Sequence, residues 1–192
     1  MFLARRKESK TKNERYAVKC FKKIDVMIKM KGKTNIINEI SIMRKLKHPN
    51  LIHLYEIYES PDYIYLILES LEGGELLSRI LEKGSYDEYT ISLLLRKMLE
   101  ALDYMHSRKI IHRDIKPENL LLRNQENDYD LVIADFGLAT QYADPSKIKI
   151  KRCGTPGFIA PEFLNPKGND DKNIQFTEKS DIFGVGIILY ML

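Results

Sequence analysis

The segment Ile110–Leu122, IIHRDIKPENLLL, places several charged side chains between two apolar runs. Its charged members are Arg113, Asp114, Lys116 and Glu118. Burying charge is costly unless the charge is paired or bound to a ligand. The segment therefore predicts a polar site whose apolar flanks anchor it in the core.

A second polar position, Asp135 in ADFG, is expected to join this site through a hairpin. Leu120–Arg123 and Leu131–Ala134 are short apolar runs around the turn-rich stretch NQENDYD. In such a hairpin, the residue before the first strand lies across from the residue after the second, so Asn119 and Asp135 should meet. Their oxygens, with Asp114 close in sequence, suit Mg²⁺ bound beside substrate phosphates. A charged surface loop beside a hairpin is the alternative interpretation.

HRDIKPEN followed by ADFG resembles the catalytic loop and the metal-binding loop of the eukaryotic protein kinases. The resemblance implies that Asp114 is the base that accepts the proton of a substrate hydroxyl. It also implies that Lys116 neutralises charge on the transferred phosphate, while Asn119 and Asp135 hold Mg²⁺ beside ATP. Thr155 in CGTPGFIAPE resembles the threonine that hydrogen-bonds the base region in serine/threonine kinases.

The same resemblance extends upstream to residues that would bind ATP. YAVK resembles the strand motif whose lysine, here Lys19, holds the ATP phosphates, and Glu39 on the next helix is its expected partner. YLILESLEGGEL resembles the hinge that binds adenine. The resemblance implies these positions around the nucleoside: Ala17, Leu76 and Leu121 around adenine, Leu68 as gatekeeper, the backbones of Glu69 and Leu71 on the adenine edge, and Glu75 facing the ribose. Without the kinase context, a solvated lysine and a plain linker are the simpler readings.

The kinase resemblance also implies a column of side chains between the two lobes. Met43, Leu54, Phe136 and His112 would stack in it, anchored by Asp181 of SDIFGVGIILY. Each of these is also a plausible plain core residue.

The elements that must position these residues change in type along the chain. Strands are predicted at Arg15–Phe21, Leu51–Glu59 and Tyr63–Glu69, and helices at Thr34–Leu46, Glu75–Glu82, Asp87–His106 and from about Thr177. The lysine-rich region 22–33 is predicted to be a solvated connection, and residues 137–161 a long irregular segment. This order predicts two lobes, an α+β lobe followed by a mainly helical one. The kinase resemblance implies that they form an α+β, two-lobed protein-kinase-like fold. Residues 1–70 would form a partial N-lobe, 71–75 the hinge and 76–192 a partial C-lobe.

Further motifs indicate a subgroup and its partners. Lys116 and GTPGFIAPE resemble the serine/threonine branch, and HPNLIHLYEIYES with GGELLSRI resembles the calcium/calmodulin-dependent kinase group. This implies transfer of the ATP γ-phosphate to protein substrates in intracellular signalling. Glu75 and Glu118 near the expected peptide site favour substrates with basic residues beside the target. A regulatory domain or calmodulin would act through segments outside this chain.

Two departures from the kinase pattern suggest truncation at both ends. Kinases carry a Gly-rich loop before the lysine strand, yet no glycine precedes Gly32 here. The chain also stops within the apolar helix of Asp181. A truncated, inactive kinase-like fragment that acts as a binding, scaffold or decoy protein is therefore the alternative function.

A third departure concerns activation. Lys151 stands two residues before Cys153, where many kinases have a phosphorylatable threonine. We expect activation that does not use a phosphate there, with Thr140, Tyr142 and Ser146 as candidate sites.

Composition excludes several other classes of protein. The 192 residues are 44% hydrophobic and 30% charged, as in globular domains, and a net charge of +4 does not demand a nucleic-acid partner. Cys20 and Cys153 lack CxxC spacing, which favours a reducing compartment. No signal peptide is visible, and the C-terminal apolar run is too short to span a bilayer. We expect a cytoplasmic protein, with the nucleus as an alternative, and no nucleic-acid or membrane partner.

Overall fold

The computed structural model describes residues 1–7, 15–28, 32–142, 153–163 and 177–192. Within these ranges, a four-stranded antiparallel sheet precedes a mainly helical part that also contains short strands. The predicted α+β succession is confirmed.

The N-terminal sheet has the strand order β1-β2-β4-β3, with every neighbouring pair antiparallel. Its strands are β1 (Phe2–Arg5), β2 (Arg15–Lys22), β3 (Leu54–Glu59) and β4 (Tyr63–Glu69). In the register of β2 with β4, Ala17 lies opposite Leu68 and Lys19 opposite Leu66. Because side chains alternate between the faces of a strand, Ala17 and Lys19 project from the same face of the sheet.

Two elements of this region differ from the sequence prediction. Residues 2–13 carry no predicted strand, yet residues 2–5 form β1 through pairing with β2, which local composition does not reveal. The predicted connection 22–33 contains helix α1 (Lys23–Ile28) and the start of α2 (Gly32–Lys45). In α1, Val26 is buried, and the helix contacts α2 and β2. Helix α1 has only six residues, fewer than two turns, which is too short for a periodic signal to predict a helix.

The remaining elements form the helical part and its short strands. They are β5 (Gly74–Glu75), α3 (Leu76–Lys83), α4 (Glu88–Ser107), β6 (Ile110–Ile111), β7 (Leu120–Leu122), β8 (Leu131–Ile133), β9 (Thr140–Gln141) and α5 (Lys179–Met191). The predicted β7–β8 hairpin is confirmed, with Leu120 opposite Ile133. Strand β5 pairs with β7, and β6 pairs with β9. Asp87 caps α4, since its carboxylate accepts a hydrogen bond of 2.9 Å from the Thr90 N–H.

A continuous apolar core connects the sheet to the helical part. Met43 of α2, Leu66 of β4, Met98 of α4 and Phe136 belong to the same buried cluster. The polar segment 112–119 lies between β6 and β7, whose side chains are almost fully buried on the core side. These strands therefore fix both ends of the segment, as its apolar flanks predicted.

Helix α5 is apolar on more than its buried face. Ile182, Leu189, Tyr190 and Met191 are exposed, whereas Val185 and Ile188 are buried. Across the described ranges, no helix has the length and apolarity needed to cross a membrane.

A close approach of α5 to the polar segment makes Gly184 a sensitive position. A Cβ at Gly184 would lie 2.8 Å from the Ile115 carbonyl oxygen and 3.0 Å from the Ile115 Cβ. We expect Gly184→Ala to lower the free energy of unfolding by about 1–3 kcal/mol, the usual cost of overpacking. Urea unfolding of the variant measures this effect.

Gly186→Ala is the matched control on the same helix, because a Cβ there meets nothing within 4 Å. Alanine at that position should be neutral or stabilise the helix by up to about 1 kcal/mol. Equal effects of both variants on the free energy of unfolding would show that the approach to Ile115 does not govern Gly184.

Candidate active site

A cavity of about 520 Å³ lies between the N-terminal sheet and the polar segment. Most of the residues predicted to bind ATP and metal line it: Ala17, Lys19, Glu39, Leu68, Glu69, Leu71, Glu75, Asn119, Leu121 and Asp135. The other predicted residues, Asp114, Lys116 and Thr155, form a hydrogen-bonded cluster that reaches the cavity through Asn119. The structure thus brings these residues into one region.

Several cavity residues had no predicted contact with the nucleotide. They are Met1, Phe2, Leu3, Met43, Ile52, Ser70, Glu118 and Ala134. Met1, Phe2 and Leu3 reach the cavity because β1 pairs beside β2, so recognition of β1 was the missing signal. Leu76 is not a lining residue of this cavity, because its side chain is fully buried in the core. The predicted contact of Leu76 with adenine is therefore wrong for this cavity.

Lys19 is the centre of an ion-pair network on the sheet side of the cavity. Its Nζ lies 2.7 Å from Glu39 Oε1 and 3.0 Å from Asp135 Oδ1. Glu39 is only 4% exposed, so it depends on Lys19 for charge compensation. Burial by itself would lower the pKa of Lys19, but the charges of Glu39 and Asp135 outweigh it and raise that pKa. The lysine is therefore fully charged at neutral pH.

Asp135 is shaped by the same network. Burial would raise its pKa, yet the charge and hydrogen bond of Lys19 together lower it, so the carboxylate is ionised at neutral pH. Its backbone has a positive φ of 60°, and its Oδ1 accepts a hydrogen bond of 3.4 Å from the Gly137 N–H. A Cβ at Gly137 would lie 3.3 Å from that oxygen, a tight contact that would require the carboxylate to shift. Phe136 is fully buried, with its ring 5.3 Å from that of His112.

Asp114 is held by three neighbouring side chains. Thr155 Oγ1 donates to its Oδ1 at 2.8 Å, and Asn119 Nδ2 donates to its Oδ2 at 3.0 Å. Lys116 Nζ lies 3.1 Å from Oδ2 and also donates to Thr155 Oγ1 at 2.7 Å. The carboxylate therefore has a fixed orientation, and the Lys116 ammonium group lies beside it.

The donor set on the cavity wall fits a hard divalent cation. The amide nitrogen of Asn119 donates hydrogen bonds to the carbonyl and carboxylate oxygens of Asp114, which leaves the amide oxygen Oδ1 available as a metal ligand. Asp135 engages Oδ1 with Lys19 and Gly137, and its Oδ2 is the second oxygen. Within the described residues no group of three or more His, Cys, Asp or Glu could hold a metal. Such a cation would therefore draw much of its shell from water and ligand phosphates.

A buried aspartate on α5 fixes the backbone before Asp114. Asp181 is 1% exposed, and it accepts hydrogen bonds from the His112 N–H at 2.9 Å and the Arg113 N–H at 2.8 Å. Its Oδ2 also lies 2.8 Å from His106 Nε2. Arg113 has a positive φ of 70°, a strained conformation that these contacts stabilise. Its Nε donates to the Leu138 carbonyl at 2.6 Å, which ties the segment to the chain after Asp135.

Backbone hydrogen bonds hold the predicted hinge on both sides of Ser70 and Leu71. The Glu69 N–H donates to the His53 carbonyl at 3.0 Å, and the Glu72 N–H donates to the Arg123 carbonyl at 3.0 Å. Between them, the Leu71 N–H makes no hydrogen bond to any described residue. A donor of this kind beside an apolar cavity suits the polar edge of a planar heterocycle.

The candidate phosphorylation sites fall in different settings. Ser146 and Lys151 lie outside the described residues, while Thr140 is half-buried in β9. Tyr142 is buried, and its hydroxyl donates to Glu178. Burial and this carboxylate raise the pKa of Tyr142 to about 12. Modification of Tyr142 would first require its contact with Glu178 to open.

Comparisons with known proteins agree with this geometry. A family model described as protein kinase domain matches residues 4–192. Calcium/calmodulin-dependent protein kinase type 1 of Caenorhabditis briggsae is 42% identical over 194 residues, which cover 100% of this chain and 50% of that protein. The kinase of the same name from Macrobrachium nipponense is 44% identical over 164 residues, covering 85% of this chain and 45% of the relative. Myosin light chain kinase A of Dictyostelium discoideum is 39% identical over 188 residues, which cover 96% of this chain and 59% of that protein. The chain spans about half the length of the curated relatives it matches.

Proposed function

Because this chain belongs to the protein kinase domain family, we propose that it transfers the γ-phosphate of ATP to serine or threonine hydroxyls of protein substrates. The predicted resemblance to the calcium/calmodulin-dependent kinases is confirmed by the relatives of that name. One observation carries the proposal: Asp114, oriented by Thr155, Lys116 and Asn119, lies next to a cavity that contains the Lys19–Glu39 ion pair. The test is transfer of labelled γ-phosphate from ATP to a serine-containing peptide by the full-length protein.

The cavity accounts for both ends of the nucleotide. Ala17 and Leu121 provide apolar walls for adenine, and the Leu71 N–H with the Glu69 carbonyl would contact its edge. Lys19, in the polar part of the cavity, would hold phosphate oxygens. Protein kinase domains use ATP with a divalent metal ion in general. We propose Mg²⁺ as that ion, because Asn119 and Asp135 contribute only oxygen donors.

The residues around Asp114 suit phosphoryl transfer, which depends mainly on positioning and charge stabilisation. Bound Mg²⁺ would supply positive charge to the β- and γ-phosphates. Asp114 would orient the substrate hydroxyl and accept its proton. Lys116, 3.1 Å from Asp114, would balance negative charge on the phosphate that moves towards the hydroxyl. Thr155 and Asn119 would keep the carboxylate in place during the reaction.

Substrates with basic residues near the target hydroxyl fit the carboxylates at the edge of the cavity. Glu75 and Glu118 are both exposed and both line it. We expect Glu118→Gln to raise the KM of an arginine-containing peptide by about two- to fivefold, the effect of one exposed charge pair. The KM of a peptide with alanine in place of arginine should not change. Steady-state kinetics with the two peptides measures the difference.

Glu126→Gln is the matched control for Glu118→Gln, because Glu126 is an exposed glutamate in the β7–β8 turn. It should leave both KM values unchanged. If Glu118→Gln raised the KM of both peptides equally, the preference for basic substrates would be wrong, while the transfer reaction itself would stand.

Regulation by calmodulin is a second part of the proposal. Two of the relatives above are named as calcium/calmodulin-dependent. We propose that the full-length protein responds to calmodulin through a segment outside this chain, in the cytoplasm. Activity that is the same with calcium and calmodulin as with a calcium chelator would contradict this dependence.

A further inference from the structure

Arg123, the residue after β7, joins three segments of the chain with one guanidinium group. Its Nη1 forms an ion pair with the carboxylate of Glu69, the last residue of β4. Its Nη2 donates to the Pro49 carbonyl at 2.7 Å, and its Nε lies 3.5 Å from Asp130 Oδ2. The planar fork of arginine is suited to several such contacts at once.

The backbone of Arg123 holds the same region. Its carbonyl accepts the hydrogen bond of the Glu72 N–H at 3.0 Å, and its N–H donates to the Asp130 carbonyl at 2.9 Å. The side chain of Arg123 therefore contacts Glu69, just before Ser70 and Leu71, while its backbone contacts Glu72, just after them. Both contacts come from the β7–β8 hairpin, which also carries Asn119 at its open end.

The contact with Pro49 extends this link to the connection between α2 and β3. The next residue, Asn50, donates from Nδ2 to the Leu131 carbonyl at 2.7 Å, and its own carbonyl accepts the Ile133 N–H at 2.9 Å. This connection is therefore already fixed on β8, so it gives Arg123 a rigid support.

Burial separates this ion pair from ordinary surface pairs. The side chains of Arg123 and Glu69 are 32% and 18% exposed, whereas those of the nearby Arg15–Glu72 pair are 47% and 57% exposed. A partly buried pair is screened less by water and salt than an exposed pair. The Arg15–Glu72 pair lies beside the same hinge and is therefore a natural comparison.

We propose that Arg123 is a positioning residue for nucleotide binding: it holds Glu69 so that the Glu69 carbonyl and the Leu71 N–H keep the spacing that adenine requires. This inference rests on the proposed function, since it names adenine as the group that the hinge binds. In the part of the chain that the structure describes, Arg123 makes no hydrogen bond or ion pair with Lys19, Glu39 or Asp135, which form the phosphate side of the cavity. Loss of Arg123 should therefore weaken binding of adenine and leave binding of phosphate unchanged.

Calorimetric titration of the full-length protein with adenosine, ADP and inorganic tripolyphosphate tests this division. We expect Arg123→Ala to raise the Kd of adenosine and of ADP by roughly 5- to 10-fold, the scale of coupling between contacting residues. The Kd of tripolyphosphate should stay within about twofold. Arg123→Lys, which keeps the charge but not the fork, should recover part of the loss. The control Arg15→Ala should change none of the three values.

Glu69→Gln keeps the shape of the side chain and removes only the charge, so it carries the test if Arg123→Ala fails to fold. It should reproduce the adenosine effect, and the double variant should be no weaker than either single variant. Equal weakening of adenosine and tripolyphosphate, or an unchanged adenosine Kd in Arg123→Ala, would overturn the inference alone. A wild-type protein that binds neither adenosine nor ADP would overturn the proposed function as well.

Discussion

Replacing Asp114 with asparagine is expected to lower phosphate transfer by about 10²- to 10⁴-fold, the usual contribution of a positioned acid–base group. Asparagine has nearly the shape of aspartate, and its amide oxygen can keep the contacts with Asn119 and Lys116 that Oδ2 makes. Its NH2 group then takes the place of Oδ1 and faces the Thr155 hydroxyl, whose oxygen can accept a hydrogen bond. Its amide cannot accept the proton of a substrate hydroxyl at neutral pH. The variant should therefore bind nucleotide as the wild type does and fail at the chemical step.

Two measurements distinguish this outcome from general damage. Transfer of labelled phosphate to a serine peptide gives the loss of activity, and titration with ADP gives the retained affinity. Asp103→Asn is the matched control, because Asp103 is an exposed aspartate on α4. Equal transfer by wild type and Asp114→Asn would contradict the role of Asp114 as the base that accepts the substrate proton. A wild type without any transfer would favour a binding or scaffold role.

The sequence predicted the parts of the site that depend on short chain segments. The apolar runs around NQENDYD predicted the β7–β8 hairpin, and the structure joins its open end through the Ala134 N–H and the Asn119 carbonyl at 2.8 Å. Asn119 and Asp135 both line the cavity as a consequence. Turn residues and apolar runs are local, so a single sequence can reveal this geometry.

The sequence did not predict contacts that depend on distant pairing. Strand β1 exists because β2 lies beside it, and its own residues are too few to identify it. The orientation of Asn119, with its amide nitrogen on Asp114, follows from the turn at 117–119 and not from residue type. The sequence suggested Tyr142 as a candidate phosphorylation site, but its burial against Glu178 depends on the position of α5.

The roles of the site residues were taken from motif resemblance, and the geometry adds a physical reason for several of them. A helical glutamate such as Glu39 is usually solvated, yet it is buried here and paired with Lys19. The kinase resemblance predicted this pair, but only the burial of Glu39 on α2 makes the charge of Lys19 necessary. The Arg123–Glu69 pair had no motif to suggest it, because it joins residues 54 positions apart across the hinge.

Replacing Lys19 with methionine is expected to lower both activity and stability, for separate reasons. Methionine keeps an unbranched apolar stem but removes the charge that would hold phosphate oxygens, so transfer should fall by at least about 10²-fold. It also leaves the buried Glu39 without its counter-charge, and breaking a buried pair costs about 3–5 kcal/mol. Because Lys19 is 27% exposed, we expect a loss near the lower end, roughly 3 kcal/mol.

The stability loss should depend on pH in a defined direction. The pKa of Asp135 is lowered in the folded protein by Lys19, so this contribution to stability is present above the unfolded carboxylate pKa. It is lost as the pH falls through the lowered folded pKa. The difference in Tm between wild type and Lys19→Met should therefore be largest near neutral pH and shrink below about pH 4.

Lys22→Met is the matched control for these effects, because Lys22 ends the same strand and is exposed. It removes one lysine without breaking a pair in the cavity, so it should leave transfer unchanged and Tm nearly so. A Lys19→Met variant that loses activity with an unchanged Tm would mean that Glu39 is compensated by another group. A variant that loses stability but keeps full transfer would mean that Lys19 supports the fold and does not hold phosphate.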